Sequence, residues 1–255
     1  MDFKRKSIVI TGATSGIGFK LLKYFIGRGD CRVCAVGRSE RKLNRLKEIF
    51  GEKIYCVKCD VGIKTDVDAM FRDLFTKSDR WGGTVDIFIA NAGFGFYEKI
   101  RSADWERMER VYSVNCFSPV YSLLKMKEYA GKRRFQFVLM SSAAAKIPLP
   151  GYALYSSAKA AADAFARAYA WEKDKNVILS VVYPVAVRTP FYKKGMKEPL
   201  FRQNLDTAVE NIINGVYLDK KYICPSNAFK TYLFLRNMLP LTAVYSYIEK
   251  LRLNK

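Results

Sequence analysis

The sequence contains no histidine. That absence excludes a Ser-His-Asp or Cys-His nucleophile, a histidine-ligated catalytic zinc and acid/base catalysis by an imidazole ring. Any proton transfer must therefore use another side chain. Acidic residues are also outnumbered, since 24 Asp and Glu stand against 44 Lys and Arg and leave a formal net charge of +20.

The positive charge is not gathered in a tail or a stripe. Residues 1–60, 61–189 and 190–255 carry net charges of +8, +6 and +6. A nucleic-acid-binding domain typically clusters its Lys and Arg on one face or along one helix. We therefore expect no specific nucleic-acid partner, and nucleic-acid binding is an alternative that rests on charge alone.

The sequence also lacks the apolar core of a signal peptide, because the mostly charged segment Met1–Lys6 runs directly into the apolar stretch Ser7–Ile10. We therefore expect a cytoplasmic protein in which the six cysteines are reduced thiols.

Two Cys-x-x-Cys pairs, Cys31/Cys34 and Cys56/Cys59, have a spacing found in zinc sites. Both pairs fall in runs typical of β-strands, where residues three apart point to opposite faces of the sheet. Such residues do not converge on one tetrahedral metal ion. We interpret them as core cysteines and predict no metal site.

Short apolar runs alternate with longer amphipathic stretches along most of the chain. This βαβα order, with near-continuous apolar strands, predicts an α/β fold with a doubly wound, mostly parallel sheet. Ligands bind such sheets at the carboxyl ends of the strands. The predicted strands are 7–11, 32–37, 54–57, 85–90, 135–140 and 177–182, and the predicted helices are 16–28, 40–50, 65–78, 104–130 and 153–173.

A glycine-rich turn follows the first predicted strand and leads into a helix. Glycines let a backbone approach a pyrophosphate closely, and the start of a helix offers free N–H groups and a positive dipole end. The spacing is G-x-x-x-G-x-G rather than the common G-x-G-x-x-G, but its place in the first βαβ unit favours nucleotide binding over a bare turn. The residues concerned are Gly12, Thr14, Ser15, Gly16, Ile17 and Gly18.

The tip of the second predicted strand carries Arg38 and Ser39 and no carboxylate. An Asp or Glu there would bond the ribose 2′-hydroxyl of NAD and repel a 2′-phosphate, whereas an arginine attracts that phosphate. This position therefore predicts NADP(H) as the cofactor.

Tyr155 and Lys159 lie one turn apart on one face of a predicted helix. A nearby ammonium stabilises a phenolate and lowers a pKa that starts near ~10. Such a tyrosine can serve as an acid or base near neutral pH. The pattern Y-x-x-x-K is common by itself, so its meaning depends on the motifs around it.

The surrounding motifs resemble those of the short-chain dehydrogenase/reductase family, in its compact single-domain form with a Rossmann fold. They follow the family's order over about residues 7–190. A serine stands 13 residues before the tyrosine, which is the family's spacing. The matching elements are T-G-x-x-x-G-x-G at 11–18, Asp60-Val61, Asn91-Ala92-Gly93, Asn115, Ser142, Tyr155/Lys159, Tyr183-Pro184 and Thr189.

The resemblance implies four catalytic residues. Tyr155 is expected to protonate a carbonyl oxygen, or to act as the base in the reverse direction, and Ser142 to polarise the same oxygen. Lys159 is expected to hold the nicotinamide ribose and to lower the pKa of Tyr155. Asn115 is expected to distort its helix and to hold a water that links Lys159 to solvent.

The resemblance also implies the cofactor contacts. The glycine turn is expected to cradle the pyrophosphate, Asp60 and Val61 to bound the adenine, Asn91 to lie beneath the adenosine ribose, and Thr189 to cap the nicotinamide amide. The full predicted cofactor set is Gly12, Thr14, Ser15, Gly16, Ile17, Gly18, Arg38, Asp60, Val61, Asn91, Ala92, Gly93, Tyr155, Lys159, Pro184, Val187 and Thr189.

One position departs from the family pattern, because Pro184 is followed by Val185 where many relatives have glycine. The backbone beside the nicotinamide thereby loses its most permissive residue. We expect the conformation of this loop and the approach of the substrate to be affected.

Mostly apolar segments surround the predicted catalytic tyrosine, namely Phe94, Phe96, 147–152 and a lid at 189–201. They favour a small apolar carbonyl or alcohol as the substrate.

The C-terminal stretch 228–255 predicts two short amphipathic helices, since charged residues and a proline interrupt it too often for a membrane span of about 20 apolar residues. Four arrangements stay open. In the first the stretch packs on its own domain, in the second it caps the substrate cleft, and in the third it docks on a second subunit. In the fourth it makes peripheral contact with an anionic membrane through Lys250, Arg252 and Lys255.

We therefore predict one domain over 1–255, with a cofactor-binding and catalytic core to about 190, a lid and last strand over about 190–225, and a helical extension at 228–255. The predicted function is NADP(H)-dependent interconversion of a carbonyl and a secondary alcohol on an apolar, lipid-like or steroid-like substrate. The alternative is a catalytically silent NADP-binding regulatory protein of the same fold. The resemblance also implies a homo-oligomer that pairs through the two long helices.

Overall fold

Strands and helices alternate along the described part of the chain, residues 2–76, 81–187, 189, 191 and 202–235 of the computed structural model. The strands are β1 (Ser7–Thr11), β2 (Arg32–Gly37), β3 (Ile54–Lys58), β4 (Ile87–Ala90), β5 (Phe135–Met140), β6 (Val177–Val182), β7 (Ala186–Val187), β8 (Arg202–Gln203) and β9 (Tyr222–Ile223). The α-helices are α1 (Gly16–Arg28), α2 (Glu40–Phe50), α3 (Lys64–Phe75), α4 (Trp105–Tyr112), α5 (Ser118–Ala130), α6 (Ala153–Glu172), α7 (Leu205–Tyr217) and α8 (Asn227–Leu235).

Seven of these strands form one sheet in the order β3-β2-β1-β4-β5-β6-β9, and every neighbouring pair in it is parallel. The short strands β7 and β8 pair separately. The predicted α/β fold with a doubly wound parallel sheet is confirmed. Six predicted segments match the structure to the residue, namely 7–11, 16–28, 32–37, 40–50, 135–140 and 177–182.

Apolar side chains cover both faces of the sheet. On β1, Val9 packs into one layer while Ile8 and Ile10 pack into the other, as the alternation of a strand requires. The first layer contains a row of stacked rings in which Phe88 lies between its neighbours, with ring centroids 5.6 Å from Phe71 and 5.4 Å from Phe137. Burial of one such side chain contributes about 1.5–3 kcal/mol to the free energy of folding. The two layers therefore hold in place the strands whose ends carry the site.

The two Cys-x-x-Cys pairs lie on the strands β2 and β3 or at their ends. Cys34 and Cys59 are buried in the layer that contains Val9, whereas Cys31 and Cys56 pack against the other layer. The predicted opposite orientation within each pair is confirmed, and it follows from the two-residue repeat of a strand.

The helix predicted over 104–130 is interrupted in the structure. Between α4 and α5 the residues Ser113–Phe117 form a π-helical segment. The side-chain amide of Asn115, at its centre, donates to the carbonyl of Val111 at 2.9 Å and to that of Phe94 at 2.8 Å. A side chain that enters the hydrogen-bond ladder widens a helix locally, and such segments are frequent at functional sites.

Parts of two predictions lie outside the described residues. Only residues 189 and 191 of the predicted lid are described, and the predicted C-terminal extension is described as far as the end of α8. Within the described part of the chain, no helix has the length and hydropathy that crossing a bilayer requires. The predicted membrane contact and homo-oligomer stay predictions.

Candidate active site

Six neighbouring strands end at one cavity of about 630 Å³. Because the strands are parallel, the loops that follow β1 to β6 all meet at this edge of the sheet. Every residue of the predicted site lines the cavity except Gly18 and Asn115, which lie behind its wall. The volume falls in the ordinary range of ligand sites, roughly 300–1,000 Å³.

The glycine turn after β1 packs tightly against the loop after β4. Gly12 and Gly16 have φ angles of +66° and +57°, which side-chain-bearing residues rarely adopt. A Cβ at Gly18 would lie 2.5 Å from the Asn91 Nδ2 atom, and that amide donates to the carbonyl of Thr11 at 2.9 Å. Only glycines permit this close approach of turn, strand and helix.

The N-terminus of α1 is exposed to the cavity without a side-chain cap. Its N-cap residue Ser15 makes no capping hydrogen bond, and Gly16 and Ile17 line the cavity. The first N–H groups of a helix lack partners within the helix and favour an anion. This is the arrangement that a pyrophosphate requires.

At the end of the cavity next to β2 and β3, two arginines lie near one carboxylate, that of Asp60. Arg38 is exposed at the tip of β2 and lines the cavity. Asp60 accepts from the Gly62 amide at 3.0 Å and from the Arg110 guanidinium at 2.5 Å. Burial raises the pKa of the Asp60 carboxyl, but the bonds from Arg110 and Gly62 outweigh burial and hold the pKa below its ordinary value. Asp60 is therefore a fixed anion beside Arg38.

Asn115 and Lys159 meet beneath the loop after β4. A Cβ at Gly93 would lie 2.9 Å from the Asn115 Oδ1 atom and 3.4 Å from the Lys159 Nζ atom. The Lys159 ammonium donates to the carbonyl of Met140 at 2.7 Å. The Oδ1 atom of Asn115 is buried and accepts no hydrogen bond from the described residues. Such an acceptor fits the predicted role of holding a water near Lys159.

Tyr155 and Ser142 form the centre of the site. Ser142 caps the short 3₁₀ helix Ala143–Ala145, and its Oγ atom accepts from the Ala144 amide at 3.1 Å. The Ser142 hydroxyl lies near enough to the Tyr155 phenol to lower its pKa. Two hydroxyl groups, from two different elements, are thus presented together at the cavity surface.

Burial dominates the ionisation of the lysine and tyrosine. It raises the pKa of Tyr155 to about 12, and the nearby Ser142 hydroxyl offsets part of that rise. Burial lowers the pKa of Lys159 to about 8, against a smaller opposing effect of Cys116. The sequence predicts that Lys159 lowers the tyrosine pKa, whereas burial of the phenol sets the net direction of the shift, which is upward. The Lys159 ammonium is bonded to the Met140 carbonyl and lies 5.9 Å from the tyrosine ring centroid.

The loop after β6 closes the cavity on the opposite side. The Pro184 carbonyl accepts from the Ala143 amide at 2.9 Å. Among the described residues other than glycine, only Arg5 and Asp219 have positive φ angles, so Val185 adopts this loop without the conformation that favours glycine. A Cβ at Gly16 would lie 3.3 Å from the Cβ of Thr189, so the glycine turn and this loop approach each other.

The remaining wall of the cavity is apolar. Phe96, a predicted wall residue, does not line it, because its ring packs edge-on against Phe94 at 5.5 Å with the Arg107 guanidinium 4.1 Å from the ring centroid. The helix α8 supplies part of the wall. The apolar and aromatic residues that line this part are Phe94, Ile147, Leu149, Tyr152, Phe191, Phe229 and Tyr232.

Sequence reasoning missed two features of the site and left a third open. Arg110 bonds Asp60 from α4. Phe229 and Tyr232 of α8 line the cavity, in keeping with the cleft-capping arrangement that is one of the four left open for 228–255. Gly95 lies so close to the tyrosine that a Cβ would be 3.1 Å from the Tyr155 Cγ atom. The glycine after Phe94 is a signal that reasoning from sequence could have used, whereas the other contacts depend on the folded arrangement.

Comparison with known proteins decides the family. The model of the short chain dehydrogenase family matches residues 6–199. The chain belongs to the short-chain dehydrogenase/reductase family. A short-chain dehydrogenase/reductase is an oxidoreductase that uses a nicotinamide cofactor, so the resemblance of the motifs is confirmed at this level.

Relatives and solved structures agree with this assignment. The (S)-benzoin-forming benzil reductase of Saccharomyces cerevisiae is 30% identical over 215 residues, which cover 78% of each protein. A short-chain dehydrogenase of Sphingobium yanoikuyae in complex with NADPH has a TM-score of 0.77 at 21% identity and covers 93% of this chain and 95% of that one. A family member of Burkholderia phymatum in complex with NAD has a TM-score of 0.78 at 17% identity and the same coverages. The two structures show the fold that this chain shares.

The residues present fit a dinucleotide. The close approach of Gly12 and Gly18, the uncapped start of α1 and the buried acceptor of Asn115 are features that a pyrophosphate and a proton-transfer site require. Arg38 lies at the tip of β2 and lines the same cavity.

Proposed function

We propose that this protein is an NADP(H)-dependent oxidoreductase that interconverts an apolar carbonyl compound and its secondary alcohol. The observation that carries the proposal is the pair of hydroxyl-bearing residues Tyr155 and Ser142, which line the same cavity as the glycine turn and the apolar wall. The nicotinamide supplies or accepts the hydride when it is bound.

Tyr155 supplies the proton in this proposal. Its phenol has a pKa of about 12 and is therefore neutral at physiological pH. A neutral phenol donates its proton to an oxygen that gains negative charge, which is the role that carbonyl reduction requires.

Ser142 and Lys159 support that transfer. The Ser142 Oγ atom already accepts from the Ala144 amide, so its own O–H is available as a donor to the same carbonyl oxygen. The Lys159 ammonium is buried at the end of β5, where a positive charge stabilises the phenolate that the transfer leaves on Tyr155. Asn115, next to Lys159, gives a route by which a water restores the proton.

Arg38 supports the choice of NADP(H). It lines the nucleotide end of the cavity, and no acidic residue occupies the tip of β2. A guanidinium binds phosphate through charge-assisted hydrogen bonds. The Asp60 carboxylate, which is bonded to Arg110, leaves the Arg38 guanidinium free of a direct salt bridge among the described residues.

The wall of the cavity supports an uncharged substrate. Along its apolar part the described lining residues include no Asp, Glu or Arg, and Lys159 is bonded to a backbone carbonyl. A carboxylate or phosphate on the substrate would be desolvated there without a partner. The related yeast enzyme is a reductase of benzil, which makes benzil the first compound to test.

A panel of carbonyl compounds tests the proposal. Purified protein and NADPH are incubated with benzil, with aliphatic and steroid ketones, and with charged 2-oxo acids, while loss of nicotinamide absorbance is followed. We expect turnover with apolar ketones and none with the oxo acids. Tight NADPH binding without turnover of any ketone would instead favour the catalytically silent binding protein.

The part of the cavity wall that α8 supplies gives a further prediction. Tyr232→Ala removes a half-buried ring from the apolar wall, so KM for benzil rises about tenfold, or ~1.4 kcal/mol, while kcat stays nearly unchanged. Phe234→Ala is the matched control, because this ring on the same helix is 76% exposed and does not line the cavity. An equal effect of both changes would show that α8 does not contact the substrate.

A further inference from the structure

A buried carboxylate on α6 joins three segments of the chain. The Asp163 side chain is 2% exposed. Its Oδ2 atom accepts from the Lys146 ammonium at 2.5 Å and from the Arg167 guanidinium at 3.1 Å, and its Oδ1 atom accepts from the Tyr183 hydroxyl at 2.5 Å. A buried charge persists only when it is paired and hydrogen-bonded, and here both oxygen atoms have donors.

The donors come from the loops that build the active site. Lys146 ends the short 3₁₀ helix that Ser142 caps. Tyr183 follows the last residue of β6 and directly precedes Pro184. The carboxylate therefore ties the loop after β5 and the loop after β6 to one side chain.

The carboxylate itself belongs to the helix that carries the reactive pair. Asp163 stands one turn after Lys159 and two turns after Tyr155 on α6. The Lys146 ammonium lies 4.8 Å from the centroid of the Tyr183 ring, so the two donors also contact each other. Burial and the Asp163 carboxylate raise the pKa of Tyr183, so its hydroxyl remains a neutral donor.

We propose that Asp163 is a positioning residue for the reaction, which holds the loop after β5 against α6 and so fixes the Ser142 hydroxyl beside the Tyr155 hydroxyl. The inference rests on the proposed function for its catalytic consequence. A displacement of about 1 Å in a catalytic group can lower a rate by roughly 10²-fold, so a side chain that touches neither substrate nor cofactor controls turnover through this loop.

Hydrogen exchange tests the positioning without any substrate. Lys146 and Tyr183 bond different oxygen atoms of Asp163, and in Asp163→Asn one of these atoms becomes an NH₂ group and the charge is lost, so we expect faster exchange of the backbone amides at 143–147 than in the unchanged protein. Four of these amides are bonded to carbonyls at 2.9–3.0 Å, and the Ala144 amide is bonded to the Ser142 hydroxyl at 3.1 Å, so exchange reports directly on the loop. Exchange at 11–18 should not change.

Asp68→Asn is the matched control for exchange and for kinetics. Asp68 also accepts from a tyrosine hydroxyl and a lysine, Tyr121 at 2.6 Å and Lys64 at 2.7 Å, but none of the three lines the cavity. This variant should leave exchange at 143–147 and the turnover number as they are.

Kinetics then test the catalytic consequence. For Asp163→Asn we expect kcat for NADPH-dependent ketone reduction to fall about tenfold or more, with KM for the ketone and the Kd of NADPH nearly unchanged. Lys146→Met should lower kcat in the same way, whereas Lys146→Arg, which keeps the positive charge, should retain most of the normal kcat. This pair of variants keeps the test valid where Asp163→Asn folds poorly.

Two results distinguish a failure of the positioning role from a failure of the proposed function. Unchanged exchange at 143–147, or an unchanged kcat of the folded variants with only a lower Tm, would overturn the positioning role. No turnover by the unchanged protein with any ketone would contradict the proposed function instead, and the exchange measurement would still decide whether Asp163 holds the loop.

Discussion

Replacing Tyr155 with phenylalanine lowers kcat for ketone reduction by about 10²–10⁴-fold, the usual contribution of a general acid. The change removes the hydroxyl near Ser142 and leaves the ring, whose centroid lies 5.3 Å from that of Phe191 and 6.3 Å from that of Tyr152. The cavity therefore keeps its shape, and the Kd of NADPH stays nearly unchanged. Steady-state kinetics with fluorescence titration of NADPH measure both quantities.

Tyr169→Phe is the control for this change. Tyr169 lies on the same helix α6, does not line the cavity, and its hydroxyl is buried without a hydrogen-bond partner among the described residues. Its loss should not affect kcat. Normal turnover by the Tyr155→Phe variant would contradict the assigned proton donor.

The second large effect is expected at the nucleotide end. Arg38→Glu replaces a cation at the tip of β2 with an anion near Asp60. A hydrogen bond to a charged group contributes about 1.5–3 kcal/mol, and the new carboxylate also repels a 2′-phosphate. We therefore expect kcat/KM for NADPH to fall about 10²-fold, with a smaller effect on NADH, because a glutamate bonds the ribose 2′-hydroxyl.

Arg41→Glu makes the same change of charge outside the cavity. Arg41 is exposed on α2 and does not line the site. The ratio of kcat/KM for NADPH to that for NADH should therefore stay close to that of the unchanged protein. If Arg38→Glu left that ratio unchanged as well, the proposed preference for NADP(H) would be wrong.

The strands and the glycine turn could be predicted from the sequence because their causes are local. Near-continuous apolar runs such as 135–140 and 177–182 fit only strands that are covered on both faces, and both were found at the predicted residues. Gly12 and Gly16 adopt positive φ angles, a conformation that the residue type itself permits. The family resemblance added the order in which these elements meet at one edge of the sheet.

Other parts of the site depend on contacts between distant residues. Asp163 bonds Tyr183 across 20 positions and Arg110 bonds Asp60 across 50, and no local pattern marks either pair. The net direction of the Tyr155 pKa shift could not be predicted from the sequence for the same reason. Helical spacing shows that Lys159 is near, but only the folded structure shows that its ammonium is bonded to a backbone carbonyl and that burial of the phenol dominates.

Transfer of deuterium from the cofactor to a ketone tests whether this site carries out the proposed reduction. The protein is incubated with benzil and NADPH deuterated at C4 on either face, and the product is analysed by mass spectrometry. We expect one deuterium on the carbinol carbon of the alcohol from one of the two labelled cofactors, and loss of this product in Tyr155→Phe. Bound NADPH that transfers no deuterium to benzil or to any other apolar ketone would contradict the proposed reduction.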